Sequence, residues 1–178
     1  MDQRQKTSPV VQLAKAAVIE YLSTGKAIQP PGTLLLDLPA MAGVFVSLKK
    51  EGKLRGCIGT WAPAMPTLVQ EVVRNAISAA TGDPRFPPVT LPEVDQITFS
   101  VDVLTSPEPV TSLDQLDPVR FGVLVKKGVR QGLLLPDIEG VEQVEEQLDI
   151  AIRKAGIDPD REDGVPLDIF RFEVKRYT

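Results

Sequence analysis

The chain has 178 residues, of which 43% are hydrophobic, 25% charged and 5% aromatic, and its formal net charge is −4. These values are typical of one globular domain, or of one domain with two lobes, and they argue against a protein that coats nucleic acid. The sequence has no histidine and one cysteine, Cys57, which excludes histidine-based catalytic dyads and triads, an internal disulfide and cysteine-rich zinc sites.

The first predicted element is an amphipathic helix. Ser8 followed by Pro9 is typical of a helix start, and apolar residues recur at helical spacing as far as Leu22. Gly25 marks the end of the helix. A break at residues 29–32 and an apolar run at residues 34–38 then lead into the next element.

A β-hairpin should follow, with one strand from Gly43 to Lys50 and a turn at Glu51-Gly52. The return strand has the sequence Leu54-Arg55-Gly56-Cys57-Ile58-Gly59-Thr60. Because side chains alternate along a strand, Arg55 and Cys57 should share one face beside Gly59. Two interpretations of Cys57 remain open here: a small core residue, which is the commoner state of a free cysteine, or a thiol activated by nearby cations.

A second helix is predicted from about Thr67 to Ala80, with Gly82 ending it. The loop after it has the sequence Asp83-Pro84-Arg85-Phe86-Pro87-Pro88. Its prolines restrict the backbone, and a loop that is ordered in advance loses less entropy when a ligand binds. The sequence leaves open whether this is a binding loop or a structural turn that places Phe86 in the core.

The second half of the chain is predicted to contain more strands than helices. A calcium loop is rejected for the acidic run at residues 158–164, because Ile169 stands where the bidentate glutamate belongs, and no metal is expected. Hairpins outnumber helical crossovers, which predicts an α+β fold with mainly antiparallel sheets packed against helices. The predicted elements are a strand over 96–103, a helical turn over 112–116, a hairpin over 121–125 and 129–135, a helix over 141–155 and a final strand over 170–175.

The strand sequence at Leu54–Thr60 and the loop motif at Asp83–Pro88 together resemble the AMMECR domain family. The resemblance covers nearly the whole chain, because three further segments also match the pattern of the family's second half. These segments are Gly132-Leu133-Leu134-Leu135-Pro136, Lys154-Ala155-Gly156 and the strand from Phe170 to Tyr177.

The resemblance implies that residues 1–178 form one AMMECR-like domain, in which two subdomains are possible. It also implies a cleft between two lobes. No reaction is established for the family, and no cofactor is expected. Prokaryotic members are associated with Memo-like and radical-SAM proteins, which are therefore candidate partners. No apolar run approaches the ~18 residues of a membrane span, and a single free thiol favours the cytoplasm.

The residues of these two motifs fit two functions. The first is a binding or adaptor module whose glycines let a partner protein or a small anionic ligand approach closely, while arginines recognise its charge. The candidate binding residues are Arg55, Gly56, Gly59, Thr60, Asp83, Arg85 and Phe86.

The alternative is an enzyme or enzyme subunit, acting with the Memo-like and radical-SAM partners. Cys57 would be the nucleophile, with Arg55 and Arg85 raising its thiolate fraction. Without histidine, the base would have to be Asp83, Glu71, a lysine or water, which is unusual for nucleophilic catalysis. A structural interpretation also stays open, in which Arg55 and Asp83 form an ion pair that locks the hairpin to the loop.

Overall fold

The computed structural model describes residues 7–29, 38–158, 160 and 164–178. The proline break at residues 30–32, the apolar run up to residue 37 and part of the acidic run at residues 158–164 lie outside these residues. The chain forms two compact units, one of Met1–Val103 with Lys175–Thr178 and one of Leu104–Val174.

Three α-helices, two 3₁₀ helices and eight strands are found within the described residues. The 3₁₀ helices span Leu91–Gln96 and Leu113–Gln115, and the second is the helical turn predicted at residues 112–116. The α-helices and strands are α1 (Pro9–Thr24), β1 (Val44–Lys50), β2 (Lys53–Thr60), α2 (Leu68–Thr81), β3 (Ile97–Leu104), β4 (Glu108–Pro109), β5 (Gly122–Lys127), β6 (Arg130–Leu134), α3 (Val144–Lys154), β7 (Asp168–Phe172) and β8 (Val174–Tyr177).

Local sequence signals set the ends of the first two helices. Gly25 adopts a left-handed conformation at φ 71°, and its N–H bonds the Tyr21 carbonyl, so α1 ends there. At the start of α2, the Thr67 hydroxyl oxygen accepts the Gln70 N–H. Both helices lie where the sequence predicts them, to within about one residue. None of the helices in the described parts has the length and apolar character needed to cross a bilayer.

The first unit contains a four-stranded sheet in the order β2-β1-β3-β8. β1 pairs antiparallel with both β2 and β3. One sheet face carries alternating apolar side chains, among them Val44, Val46 and Phe99, that join apolar residues of α1 and α2 in a single core. β2 is consequently an outer strand, with only one neighbour in the sheet.

Helix α2 packs directly on β2 because Gly56 has no side chain. A Cβ atom at Gly56 would lie 2.2 Å from the carbonyl oxygen of Ala79, which is a forbidden separation. The second unit uses the same arrangement, since a Cβ atom at Gly132 of β6 would lie 2.1 Å from the Ala151 carbonyl oxygen of α3. In both places a strand glycine permits close contact with a helix.

The second unit contains the sheet β4-β7-β5-β6, in which β5 pairs antiparallel with β6 and β7. Its core includes Val123 and Val125 of β5 and Leu148 and Ala151 of α3. The protein is therefore α+β, with antiparallel sheets packed against helices, as the sequence predicts.

Two elements differ from the sequence prediction. The expected final strand is two strands, β7 and β8, which belong to different sheets. Between them, the Glu173 N–H bonds the Thr105 hydroxyl oxygen, and the Glu173 carbonyl accepts the Thr105 N–H. Helix α3 begins at Val144 rather than at Val141, because Gln143 and Glu146 form a capping box there.

Candidate functional site

The N–H and carbonyl groups of Cys57 in β2 point away from β1, toward the open edge of the sheet. Cys57 lies opposite Ser47 of β1, yet its N–H donates to Oδ2 of Asp83 at 2.9 Å. Ser47 and Cys57 are therefore a non-hydrogen-bonded pair of the ladder, in which side chains approach closely. The Ser47 hydroxyl lies 3.2 Å from the Cys57 sulfur.

Asp83 joins the loop to this outer edge. Its side chain is 2% exposed. Besides the Cys57 N–H, the carboxylate accepts the backbone N–H and Nε of Arg85, both at 3.0 Å, and Nη2 of Arg85 at 2.7 Å. The Arg85 guanidinium holds the pKa of Asp83 well below its usual range, and Asp83 in turn raises the pKa of Arg85. The pair is therefore fully ionised near neutral pH.

Arg85 is fixed on one side and open on the other. Nη2 lies 3.4 Å from the Cys57 carbonyl oxygen, and the guanidinium carbon lies 5.5 Å from the centre of the Phe86 ring. The side chain nevertheless remains 56% exposed. Within the described part of the chain, Nη1 takes part in none of these hydrogen bonds, so it can donate to an incoming anion.

Arg55 is held quite differently. The register of β1 and β2 shifts between Leu48 and Lys49, and Arg55 is the bulge residue, which has no paired residue in β1. Its Nε and Nη2 bond the two carboxylate oxygens of Glu93 at 2.8 and 3.1 Å, and its guanidinium also donates to the Pro87 and Pro88 carbonyls. The structure thus pairs Arg55 with Glu93, and Asp83 with Arg85, rather than Arg55 with Asp83.

The Arg55 cluster is largely closed to solvent. The side chains of Arg55 and Glu93 are each 14% exposed. Hydrogen bonding from Arg55 lowers the pKa of Glu93 to about 2, with Lys50 contributing as well. Arg55 therefore fastens the far end of the proline-rich loop to β2.

The other predicted site residues divide between the two sides of β2. Gly56 faces α2, whereas the Phe45 ring covers Gly59, where a Cβ atom would lie 2.2 Å from the ring. The Thr60 hydroxyl donates to Glu71 at 2.6 Å. The structure consequently brings together Cys57, Gly59, Asp83, Arg85 and Phe86 at the outer edge, and it places Arg55, Gly56 and Thr60 in supporting contacts.

Glu71 has a structural role that the sequence does not predict, since the sequence indicates it only as a possible base. Glu71 is completely buried in α2, and besides Thr60 it accepts the backbone N–H groups of Ala64 and Met65 at 2.8 and 2.7 Å. Asn75, one turn later, donates to the Val44 carbonyl at 2.9 Å. Both polar residues follow Leu68 at helical spacing on the buried face, and this position in the sequence signals buried polar contacts. Glu71 holds the chain after β2, whereas Asn75 holds the strands themselves.

The thiol of Cys57 is half-buried. Burial raises its pKa, and the hydrogen bond from Ser47 and the charge of Arg85 offset this only in part. Its thiolate fraction near pH 7 is therefore lower than that of an ordinary cysteine, which weakens its case as a nucleophile.

We expect iodoacetamide to alkylate Cys57 in the folded protein more slowly at pH 7.5 than in the unfolded chain, because burial raises the pKa of the thiol and lowers its thiolate fraction. Mass spectrometry over time measures the rate. Arg85→Ala should slow the reaction further, because Arg85 favours the thiolate. A folded thiol that reacts as fast as the unfolded one would contradict this assignment.

No group of three or more cysteine, aspartate or glutamate side chains in the described ranges could hold a metal ion. Fold and edge together define an α+β protein of two antiparallel sheets, in which a proline-rich loop covers the outer edge of the first sheet at Cys57.

A family model described as AMMECR1 matches residues 11–177, and the chain therefore belongs to the AMMECR1 family. The family predicted from the two motifs is confirmed.

The chain is 52% identical over 171 residues to a protein of Thermotoga maritima, covering 95% of this chain and 97% of that one. It is 49% identical over 157 residues to a Clostridium acetobutylicum protein, covering 87% of this chain and 33% of that one. The crystal structure of an uncharacterized protein from Pyrococcus horikoshii matches with a TM-score of 0.85 at 38% identity, covering 96% of this chain and 89% of that one.

Proposed function

We propose that this protein is a binding module that recognises the carboxylate or phosphate group of a small anionic ligand or of a partner protein through Arg85. The observation that carries this proposal is the fixed but half-exposed guanidinium of Arg85, held by the buried carboxylate of Asp83. A planar guanidinium that is already oriented loses little entropy when it binds an anion.

Arg85 is a better candidate for the recognising group than Arg55. The donors of Arg55 are engaged by Glu93 and by two loop carbonyls, and an anion would have to displace them. Arg55 instead holds the loop that carries Arg85. Arg55 thus supports the site by fixing the position of this loop.

Binding is also better supported than catalysis by Cys57 with Arg55 and Asp83. Burial lowers the thiolate fraction of Cys57, and Asp83 is too weak a base near neutral pH because its pKa is strongly lowered. The Memo-like and radical-SAM partners, the cytoplasmic location and the cleft stay predictions. The single free thiol supports the cytoplasm, a reducing compartment.

The proposal is tested by titrating the protein with inorganic phosphate at constant ionic strength and following the Nε–H resonance of Arg85 by NMR. We expect a saturable shift in the native protein. Arg85→Ala should weaken phosphate binding at least tenfold, as measured by backbone amide shifts of the loop, because a charge-assisted hydrogen bond is lost.

Arg153→Ala is the matched control, since Arg153 is an exposed arginine in the last turn of α3. This variant should bind phosphate as the native protein does. Equal affinity in the Arg85→Ala protein, or phosphate shifts confined to residues other than the loop and β2, would refute the proposal.

A further inference from the structure

We propose that the outer edge of β2 at Gly59 accepts an extended, acidic segment of a partner protein as an added strand, and that Arg85 binds a carboxylate of that segment. This inference rests on the proposed function, since it uses the same guanidinium, and it names the kind of partner.

The backbone of Gly59 is oriented for this role. Cys57 turns its N–H and carbonyl outward, as its bonds with Asp83 and Arg85 show. Gly59 lies two residues further along the same strand, opposite Phe45, so its N–H and carbonyl also point outward. Among the described residues, no hydrogen bond from outside the strand ladder reaches either group of Gly59, which is itself partly exposed.

The side chains of Asp83 and Arg85 take the place that the next residue of an added strand would have beside Cys57. They satisfy the Cys57 N–H at 2.9 Å and approach the Cys57 carbonyl at 3.4 Å, as the backbone of an added strand would do. An incoming segment can therefore pair with Gly59 and then meet Arg85 in place of Cys57. Unpaired groups at a sheet edge are the usual docking point for extended peptides.

The spacing defines the segment that fits. Residues 57 and 59 are two positions apart, which is about 6.6 Å along a strand. The carboxylate should therefore stand about two residues from the residue that pairs with Gly59. The Phe45 ring covers Gly59 and offers an apolar surface on which a β-branched side chain of the segment can pack.

A second copy of this chain does not fit this edge as well as an acidic segment. Two β2 strands placed edge to edge would offer Arg85 no carboxylate, because the charged residues of β2 are Lys53 and Arg55. Each would also have the Cys57 N–H already occupied by Asp83. Charge complementarity therefore favours an acidic partner.

The test uses the full chain and the pentapeptide acetyl-Glu-Thr-Val-Thr-Glu-amide. Its central valine has a glutamate two residues away on either side, so that it can pair with Gly59 in either strand direction. Amide hydrogen exchange of Gly59 is measured by NMR, with Ile58, whose N–H faces β1, as the internal control. The matched probes replace both glutamates with glutamine, or N-methylate both the central valine and the threonine after it.

We expect the glutamate peptide to slow exchange of the Gly59 N–H at least tenfold at saturation without affecting Ile58. The glutamine peptide should bind about tenfold more weakly, and Arg85→Ala should abolish this difference. The N-methylated peptide should give no protection of Gly59, because the donor to the Gly59 carbonyl is the valine N–H in an antiparallel pair and the N–H of the following threonine in a parallel pair. A methyl group in place of that hydrogen removes the bond and clashes with the carbonyl oxygen, so the peptide should not bind at this edge.

Two results would overturn the inference while leaving anion binding by Arg85 intact. The first is slow exchange of the Gly59 N–H in the free protein. The second is an exchange rate of the Gly59 N–H that the glutamate peptide does not change, while phosphate still shifts the Arg85 Nε–H resonance. Equal protection by the glutamate and glutamine peptides, with no response of Arg85 to phosphate, would instead refute Arg85 as the carboxylate receptor and the proposed function with it.

Discussion

Glu71→Ala should lower the free energy of unfolding by about 4 kcal/mol, since hydrogen bonds to a charged group contribute roughly 1.5–3 kcal/mol each and the buried donors left behind lose their partner. The carboxylate is fully buried, and it accepts the Thr60 hydroxyl and the Ala64 and Met65 N–H groups. Urea unfolding followed by the fluorescence of Trp61, the only tryptophan, measures the change.

Glu145→Ala is the matched control, because Glu145 is exposed in the first turn of α3 and its loss should cost less than about 1 kcal/mol. The loss for Glu71→Gln should lie between these two values. The amide oxygen of glutamine can still accept a hydrogen bond, but its NH2 group would face the donors that Glu71 binds. If Glu71→Ala unfolded at the same urea concentration as Glu145→Ala, Glu71 would not hold the segment after β2.

Gly56→Ala should lower the free energy of unfolding by about 3 kcal/mol, at the upper end of the range for overpacking. The new methyl group would meet the Ala79 carbonyl oxygen at 2.2 Å, so α2 must move away from β2. A backbone oxygen within a helix cannot turn aside as a flexible side chain can. Urea unfolding again measures the change, and displaced amide resonances of Cys57 would report movement of β2.

Gly82→Ala provides the comparison, since Gly82 has a φ of −123° and the nearest atom to its Cβ would be the Ser78 carbonyl oxygen at 3.2 Å. We expect a change within about 1 kcal/mol there. A similar loss in both variants would mean that close packing of α2 is not what requires glycine at position 56.

Much of the fold is visible in local sequence patterns. The alternation of Ile97, Phe99, Val101 and Val103 predicts β3, and the glycine at position 25 predicts the end of α1, because both effects act within a few residues. The split of the last strand is not visible in this way. β7 and β8 continue the same alternation, and only pairing with distant strands assigns them to different sheets.

The site shows the same division. The sequence predicts that the motif residues Cys57, Asp83 and Arg85 lie in one site, and in the structure hydrogen bonds join them. The role of Arg55 could not be predicted, because it depends on a register shift in the hairpin and on Glu93, which lies 38 positions later in the chain. Long-range ion pairs leave no periodic signal in the sequence.

The ion pair between Asp83 and Arg85 also makes the charge of this edge constant over the physiological pH range. The pKa of Asp83 lies well below its usual value, and those of Arg85 and Cys57 lie above theirs. The sequence has no histidine, the side chain that ordinarily changes charge between pH 5 and 8. Any pH dependence of binding to Arg85 in that range would therefore come from the ligand: a carboxylate should bind equally at pH 5.5 and 8, whereas a phosphate monoester, with its second pKa near 6, should bind more tightly at the higher pH.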